Sequence, residues 1–143
     1  MTTTTSHIDV TFPGGKRVDA TLADQVVVHT DQSQKHGGDG SAPEPFDLFL
    51  ASLATCAGLY VLVFCQTRGV PTDRLTLTQD QIYEDGKLRR IKLSILLPPD
   101  FPEKYVDAVR AAASGCRVKK TLADPPELEV VAVPSTAPAA VRL

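Results

Sequence analysis

Apolar and polar residues alternate in three short runs at the start of the chain, His7 to Phe12, Arg17 to Leu22 and Gln25 to His29. A period of two is that of strands with one buried face. Pro13-Gly14-Gly15 separates the first two runs and predicts a hairpin turn. A polar, glycine-rich stretch from Thr30 to Pro43 follows, and its small residues predict a flexible surface connection. Loops of about 12 residues or more often carry function. The alternation then stops. No charged side chain occurs from Leu48 to Cys65, and a helix is predicted from near Pro45 to near Gly69, before Pro71.

Alternation resumes in Leu75 to Glu84 and Lys87 to Leu97, joined by Asp85-Gly86, a pair suited to the type I′ turn because both central residues need positive φ. Ile91, Leu93, Ile95 and Leu97 share one face, while Arg90, Lys92 and Ser94 share the other with Leu96. Asp100 to Glu103 has the spacing of a capping box, and Tyr105, Val106, Val109 and Ala113 recur at helical spacing up to about Ser114. Gly115 breaks that helix. Arg117 to Leu122 predicts a short helix and Leu128 to Val133 a last strand. The order βββ, α, ββ, α, β lacks βαβ repeats, so it indicates an α+β fold with mainly antiparallel sheets. Residues 1–133 form one expected domain, and the Pro/Ala-rich tail 134–143 is expected to be disordered.

The uncharged run of about 18 residues approaches the length of a membrane span. It holds Ser52, Thr55 and Gly58 and has no Trp or Lys/Arg cluster at its ends. A helix apolar on all sides is equally the buried centre of a soluble protein, and that is the expectation here. One domain has few layers with which to cover such a helix, which predicts a partner subunit in a closed dimer. Met1 to Ser6 has neither a basic start nor a following apolar core, so a cytoplasmic location is expected, with no membrane association. The 15 Lys and Arg against 17 Asp and Glu leave a net charge of −2 without a like-charged block, which argues against nucleic acid as a partner.

Three cysteines cannot close a disulfide framework and suit a reducing compartment. Cys56, flanked by Ala54, Thr55, Ala57 and Gly58, reads on its own as a small packing residue. Cys65 lies nine positions later, half a turn out of phase, and is assigned to packing. Cys116 precedes Arg117, Lys119 and Lys120 at the start of a helical turn, where cations and free amides lower a thiol pKa. An ordinary solvated cationic face fits the same spacing equally well. No short C-x₂-C or H-x₃-H spacing marks a metal site, and His36 reads as a solvated loop residue.

The stretch Gly40-Ser41-Ala42-Pro43-Glu44-Pro45-Phe46-Asp47-Leu48-Phe49-Leu50-Ala51-Ser52-Leu53-Ala54-Thr55-Cys56 resembles the central-helix signature of the OsmC/Ohr superfamily of osmotically inducible and organic hydroperoxide resistance proteins. Cys116 to Leu122 resembles its second cysteine motif, and the element order is similar over residues 6 to 133. The resemblance implies the OsmC-like fold, with antiparallel sheets around a long central helix and two subunits intertwined as a homodimer. It implies a thiol peroxidase for organic, including fatty-acid, hydroperoxides, in which Cys56 becomes a sulfenic acid and Cys116 resolves it as a disulfide. A small dithiol or lipoyl protein would be the reductant, and no metal or organic cofactor is required. The family's activating carboxylate corresponds by spacing to Asp47, with Glu44 as the other candidate, and its arginine to Arg17. Arg117 stands where hydroperoxide-reducing branches usually carry Pro, and Ala57 where many carry an aromatic residue. The competing reading is a non-catalytic dimer that binds a small hydrophobic ligand at its interface, with Cys56 as packing.

Overall fold

The computed structural model describes residues 1–135. The first three runs form an antiparallel sheet in the order β1 (Asp9–Gly14), β2 (Arg17–Thr21), β3 (Val27–Thr30). In its register Val10 faces Ala20 and Ala20 faces Val28. Helix α1 (Pro45–Thr67) is 23 residues long, about 35 Å at 1.5 Å per residue. It is followed by the hairpin β4 (Thr76–Glu84) and β5 (Lys87–Leu96), then α2 (Val106–Ser114) and α3 (Arg117–Ala123). Asp85 and Gly86 turn the hairpin with φ of 50° and 74°, the left-handed pair that its sequence predicts.

The core lies between one face of α1, the inner face of the β4–β5 hairpin, and α2 and α3. Val61, Phe64, Cys65, Phe101 and Val109 form one buried cluster, with Leu75, Leu77, Ile95 and Leu97 packed against it. Leu53, Ala57 and Cys116 form the other, against Ile91, Leu93 and Val118. The alternation along β5 therefore resolves as expected, with Leu96 on the outer face and 52% exposed.

The opposite face of α1 is uncovered among the described residues. Ala51, Thr55, Leu59 and Val63 succeed one another at four-residue spacing, and all are exposed. Only 28% of the helix's most apolar 18-residue window, mean hydropathy 2.2, is buried, so by length and composition α1 is capable of crossing a membrane. The expectation of a buried helix thus holds for its inner face only.

Two local expectations are corrected. Asp100 does not cap a helix at Glu103: its carboxylate pairs with Arg74, and the chain enters α2 through a 3₁₀ turn, Glu103–Tyr105. A capping box does form at α1, where Glu44 and Asp47 satisfy each other's backbone N–H groups. The segment from Leu128 to Val133 has no regular secondary structure, so the predicted final strand is absent and, among the described residues, the order ends in two helices. Leu128, Val130, Val131 and Val133 are 68–97% exposed. Alternation supplies strand propensity, whereas a strand exists only when a neighbour takes its hydrogen bonds. Most of the tail 134–143 lies outside the described residues.

Candidate functional site: a cysteine pair beside an apolar cleft

α1 carries Cys56 on the side that meets the connection between α2 and α3. The last turn of α2 closes with Gly115 N–H on the Ala111 and Ala112 carbonyls, and Cys116 N–H donates to Ala113 O at 3.3 Å. Cys116 is then the N-cap of α3 (φ −50°, ψ 131°), and its own carbonyl accepts from Lys120 N–H at 3.0 Å. Its side chain is fully buried against Leu53 and Ala57. Ala57 has no exposed surface, so a small residue at this position lets the turn before α3 approach α1.

The two thiols lie close enough for each to act on the proton of the other. Cys56, partly exposed, is held below the ordinary thiol range, first by the Val118 N–H and then by the thiol of Cys116, with the Arg117 N–H and the Arg117 charge adding to them. Burial pushes the Cys116 thiol up. Of the two readings the sequence left open for Cys116, a lowered thiol pKa does not hold. Of the groups that follow Cys116, the Arg117 charge and the Arg117 and Val118 amides act on the sulfur across from it; the Lys119 and Val118 amides also lower the Cys116 thiol, but its burial outweighs them. Cys65 lies in the other cluster, where burial raises its thiol pKa.

Next to the pair is a cleft of about 520 Å³. Phe49, Leu53, Ile91, Leu93 and Leu122 are among its apolar lining, and Leu53, Ile91 and Leu93 also pack around the cysteines. Arg89, Arg90 and Lys119 line it as well, and among the described residues no carboxylate does.

The polar stretch before α1 is pinned, against the expectation of flexibility. Asp31, 1% exposed, accepts from Gln32 N–H at 2.7 Å, Ser41 N–H at 3.0 Å and the Ser41 hydroxyl at 2.7 Å. Those bonds hold its carboxyl below the usual range, the Ser41 hydroxyl contributing most. Glu44 Oε1 bonds His36 Nδ1 at 2.6 Å and accepts from Ser33 N–H at 3.0 Å. His36, then Ser33, lower the Glu44 pKa to about 2. Gly38 sits so close to this network that an added Cβ would lie 2.1 Å from the Gln32 carbonyl oxygen.

Residues 38–131 match the OsmC-like protein family, a span that includes the polar stretch's end, both cysteines and the cleft. The chain belongs to that family. Solved structures share the OsmC-like fold. A Psychrobacter arcticus protein assigned to the osmotic stress induced and detoxification response is 22% identical, with a TM-score of 0.66 over 85% of this chain and 89% of that one. An organic hydroperoxide resistance protein OsmC from Legionella pneumophila is 17% identical, with a TM-score of 0.55 over 85% and 91%. An OsmC-like protein of unknown function from Vibrio cholerae is 12% identical, with a TM-score of 0.60 over 83% and 94%. No curated protein matches the sequence.

Of the four residues singled out in this OsmC-like chain, the structure brings Cys56 and Cys116 together. Asp47 lies nine residues before Cys56, about 13 Å along the helix axis, and its carboxylate accepts from Glu44 N–H at 3.3 Å. Arg17 bonds the Gly14 and Pro13 carbonyls of its own hairpin, both at 3.4 Å. Neither is among the groups that act on the Cys56 thiol, whereas Arg117 and the Val118 amide are. The signal for Arg117 was its place directly after Cys116, but reading it as the partner of Cys56 required knowing that α3 starts against α1. Among the described residues, no group of three His, Cys, Asp or Glu side chains is arranged to hold a metal ion.

Proposed function

We propose that this OsmC-like protein is a thiol peroxidase for organic hydroperoxides, working as a homodimer in the cytosol. The reading is carried by one observation: a buried thiol, Cys116, lies beside a partly exposed cysteine, Cys56, and helps to hold it below the ordinary thiol range. The Cys56 thiolate attacks the distal oxygen of ROOH, the O–O bond breaks, and with one proton the products are Cys56 sulfenic acid and ROH. The Cys116 sulfur then attacks the sulfenic sulfur, and water leaves with the two sulfurs joined. A dithiol, either a small molecule or a lipoyl protein, takes the disulfide back to two thiols and is itself oxidised. The adjacent cleft supports a substrate with an apolar body, because hydrogen peroxide has no use for its aliphatic lining. Its Arg and Lys residues tolerate a carboxylate on that body, as in a fatty-acid hydroperoxide.

The dimer is supported by the uncovered outer face of α1 and by the exposed, unpaired segment from Leu128 to Val133. In the intertwined arrangement each would find cover on a second copy, and the partner would bring its own β1–β3 sheet toward the site. Such an approach is how Arg17, which its own chain leaves at a hairpin turn, would reach a cysteine.

The test is to treat the reduced protein with cumene hydroperoxide and map the cysteines by mass spectrometry. A Cys56–Cys116 disulfide is expected, replaced in Cys116→Ser by a dimedone-trapped sulfenic acid at Cys56 and absent in Cys56→Ser. Unchanged thiols under excess hydroperoxide would sink the reading.

A further inference from the structure

A second cleft, of about 300 Å³, lies at the far end of α1, bounded by the connection into β4 and by the connection from β5 to α2. We propose that it binds a small organic monocarboxylate, with Arg68 and Lys104 on the carboxylate and the apolar walls on its body. The site is about 18 Å along α1 from Cys56, twelve residues at 1.5 Å each, and it is separate from the proposed peroxidase chemistry.

The cations are placed by aromatic rings. The Arg68 guanidinium carbon lies 3.8 Å from the Phe64 ring centroid and 5.6 Å from that of Tyr105, and Lys104 Nζ lies 5.0 Å from Tyr105. Phe64 and Tyr105 themselves meet edge to face, 5.7 Å apart at 86°. Arg68 and Lys104 are thus gathered on one ring, and neither has a carboxylate partner among the described residues. The Arg68 backbone is fixed too, since its N–H and that of Val70 both donate to the Cys65 carbonyl, at 3.1 and 2.9 Å. Of the five N–H donors on the guanidinium, Nη1 makes a 3.5 Å bond to Phe64 O, which leaves the other donors to a ligand. A favourable interaction with the end of the α1 dipole would need only the Arg68 charge, not Lys104 on the same ring beside a cleft.

The balance of charge selects a monoanion. The ionisable lining is Arg68, Arg74 and Lys104 against Asp73 and Asp100, three positive and two negative, and Arg74 already pairs with Asp100. One positive charge is left over, which suits a carboxylate and gives a dianionic phosphate an unbalanced neighbour in Asp73. Pro71, Pro98 and Pro102 wall the cleft. Their fixed φ makes these walls stiff, so little ordering is required when a ligand enters. The volume is at the small end of the roughly 300–1,000 Å³ of ligand pockets, which favours a body the size of one aromatic ring.

The experiment is a ¹H–¹⁵N titration of the reduced, full-length protein with benzoate, benzamide and inorganic phosphate. Benzoate is expected to give saturable shifts at Gly69, Val70, Phe101 and Tyr105, and binding should weaken roughly tenfold in Lys104→Gln and in Arg68→Gln. Benzamide and phosphate are expected to bind more weakly than benzoate. If Arg68→Gln loses its folded spectrum, Lys104→Gln and Arg68→Lys carry the comparison. The proposal is overturned if benzoate gives no saturable shifts at these amides, if benzamide or phosphate binds as well, or if Lys104→Gln binds benzoate unchanged. Failure of the peroxide experiment would leave this result untouched, because the titration reads no cysteine.

Discussion

The thiol of Cys116 is buried and acts on the sulfur of Cys56, which is partly exposed. The two sulfurs are therefore unequal before any reaction. Cys56 is expected to become thiolate below the ordinary thiol range of about 8.5 and Cys116 above it. A pH series of iodoacetamide labelling, read by mass spectrometry at each cysteine, checks the order. Cys116→Ala, which deletes one of the groups that lower it, should move the Cys56 midpoint upward; an unmoved midpoint would contradict the thiol contact.

Arg117→Pro separates two contributions to Cys56. Cys116 already has the extended backbone that a residue before Pro adopts (φ −50°, ψ 131°), and position 117 is the first of α3, where Pro fits. The fold should therefore be kept. The substitution removes the Arg117 N–H and its charge but leaves the leading contribution, the Val118 N–H. The expected result is a modest rise in the Cys56 midpoint and slower labelling at neutral pH, with an unchanged far-UV spectrum. A midpoint as high as that of an ordinary thiol would mean that Val118 contributes nothing.

The polar stretch before α1 should resist acid because Glu44 stays ionised. Its pKa falls from 4.5 to about 2 on folding, so its stabilising contribution is complete above about 4.5 and is lost as pH falls through about 2. Glu44→Gln should lower the melting temperature at pH 6 and flatten its dependence on pH between about 4.5 and 2, as thermal melts across that range would show. Gly38→Ala tests the same network by steric means, and a loss of about 1–3 kcal/mol is expected in chemical denaturation, since the new Cβ would strike the Gln32 carbonyl.

On the outer face of α1, Leu59 and Val63 are 54% and 51% exposed within one chain. If a second copy covers them, Val63→Glu buries an unpaired charge and should weaken the dimer by at least about 3 kcal/mol, roughly a hundredfold in Kd. Sedimentation velocity of the wild type and the variant over a concentration series measures it. A wild type that stays monomeric would remove the dimer from the proposed function.

Elements whose pattern is local could be read from the residues alone. The strand alternation, the Asp85-Gly86 turn, the uncharged span of α1 and the phase that separates Cys65 from Cys56 all depend on neighbours within a few residues, and each was legible. Features that depend on residues far apart in the chain emerged only with the fold. Asp100 offered a capping pattern but found Arg74, 26 positions away, where a charged partner outcompetes a local N–H. Leu128 to Val133 had a strand's alternation but no edge to take its hydrogen bonds. Most of all, the basic run after Cys116 raised the question of a lowered thiol pKa, and the fold answered it for a different sulfur. An amide or a charge acts on whatever lies in front of it, and 60 residues of chain separate Cys56 from the groups that the fold places there.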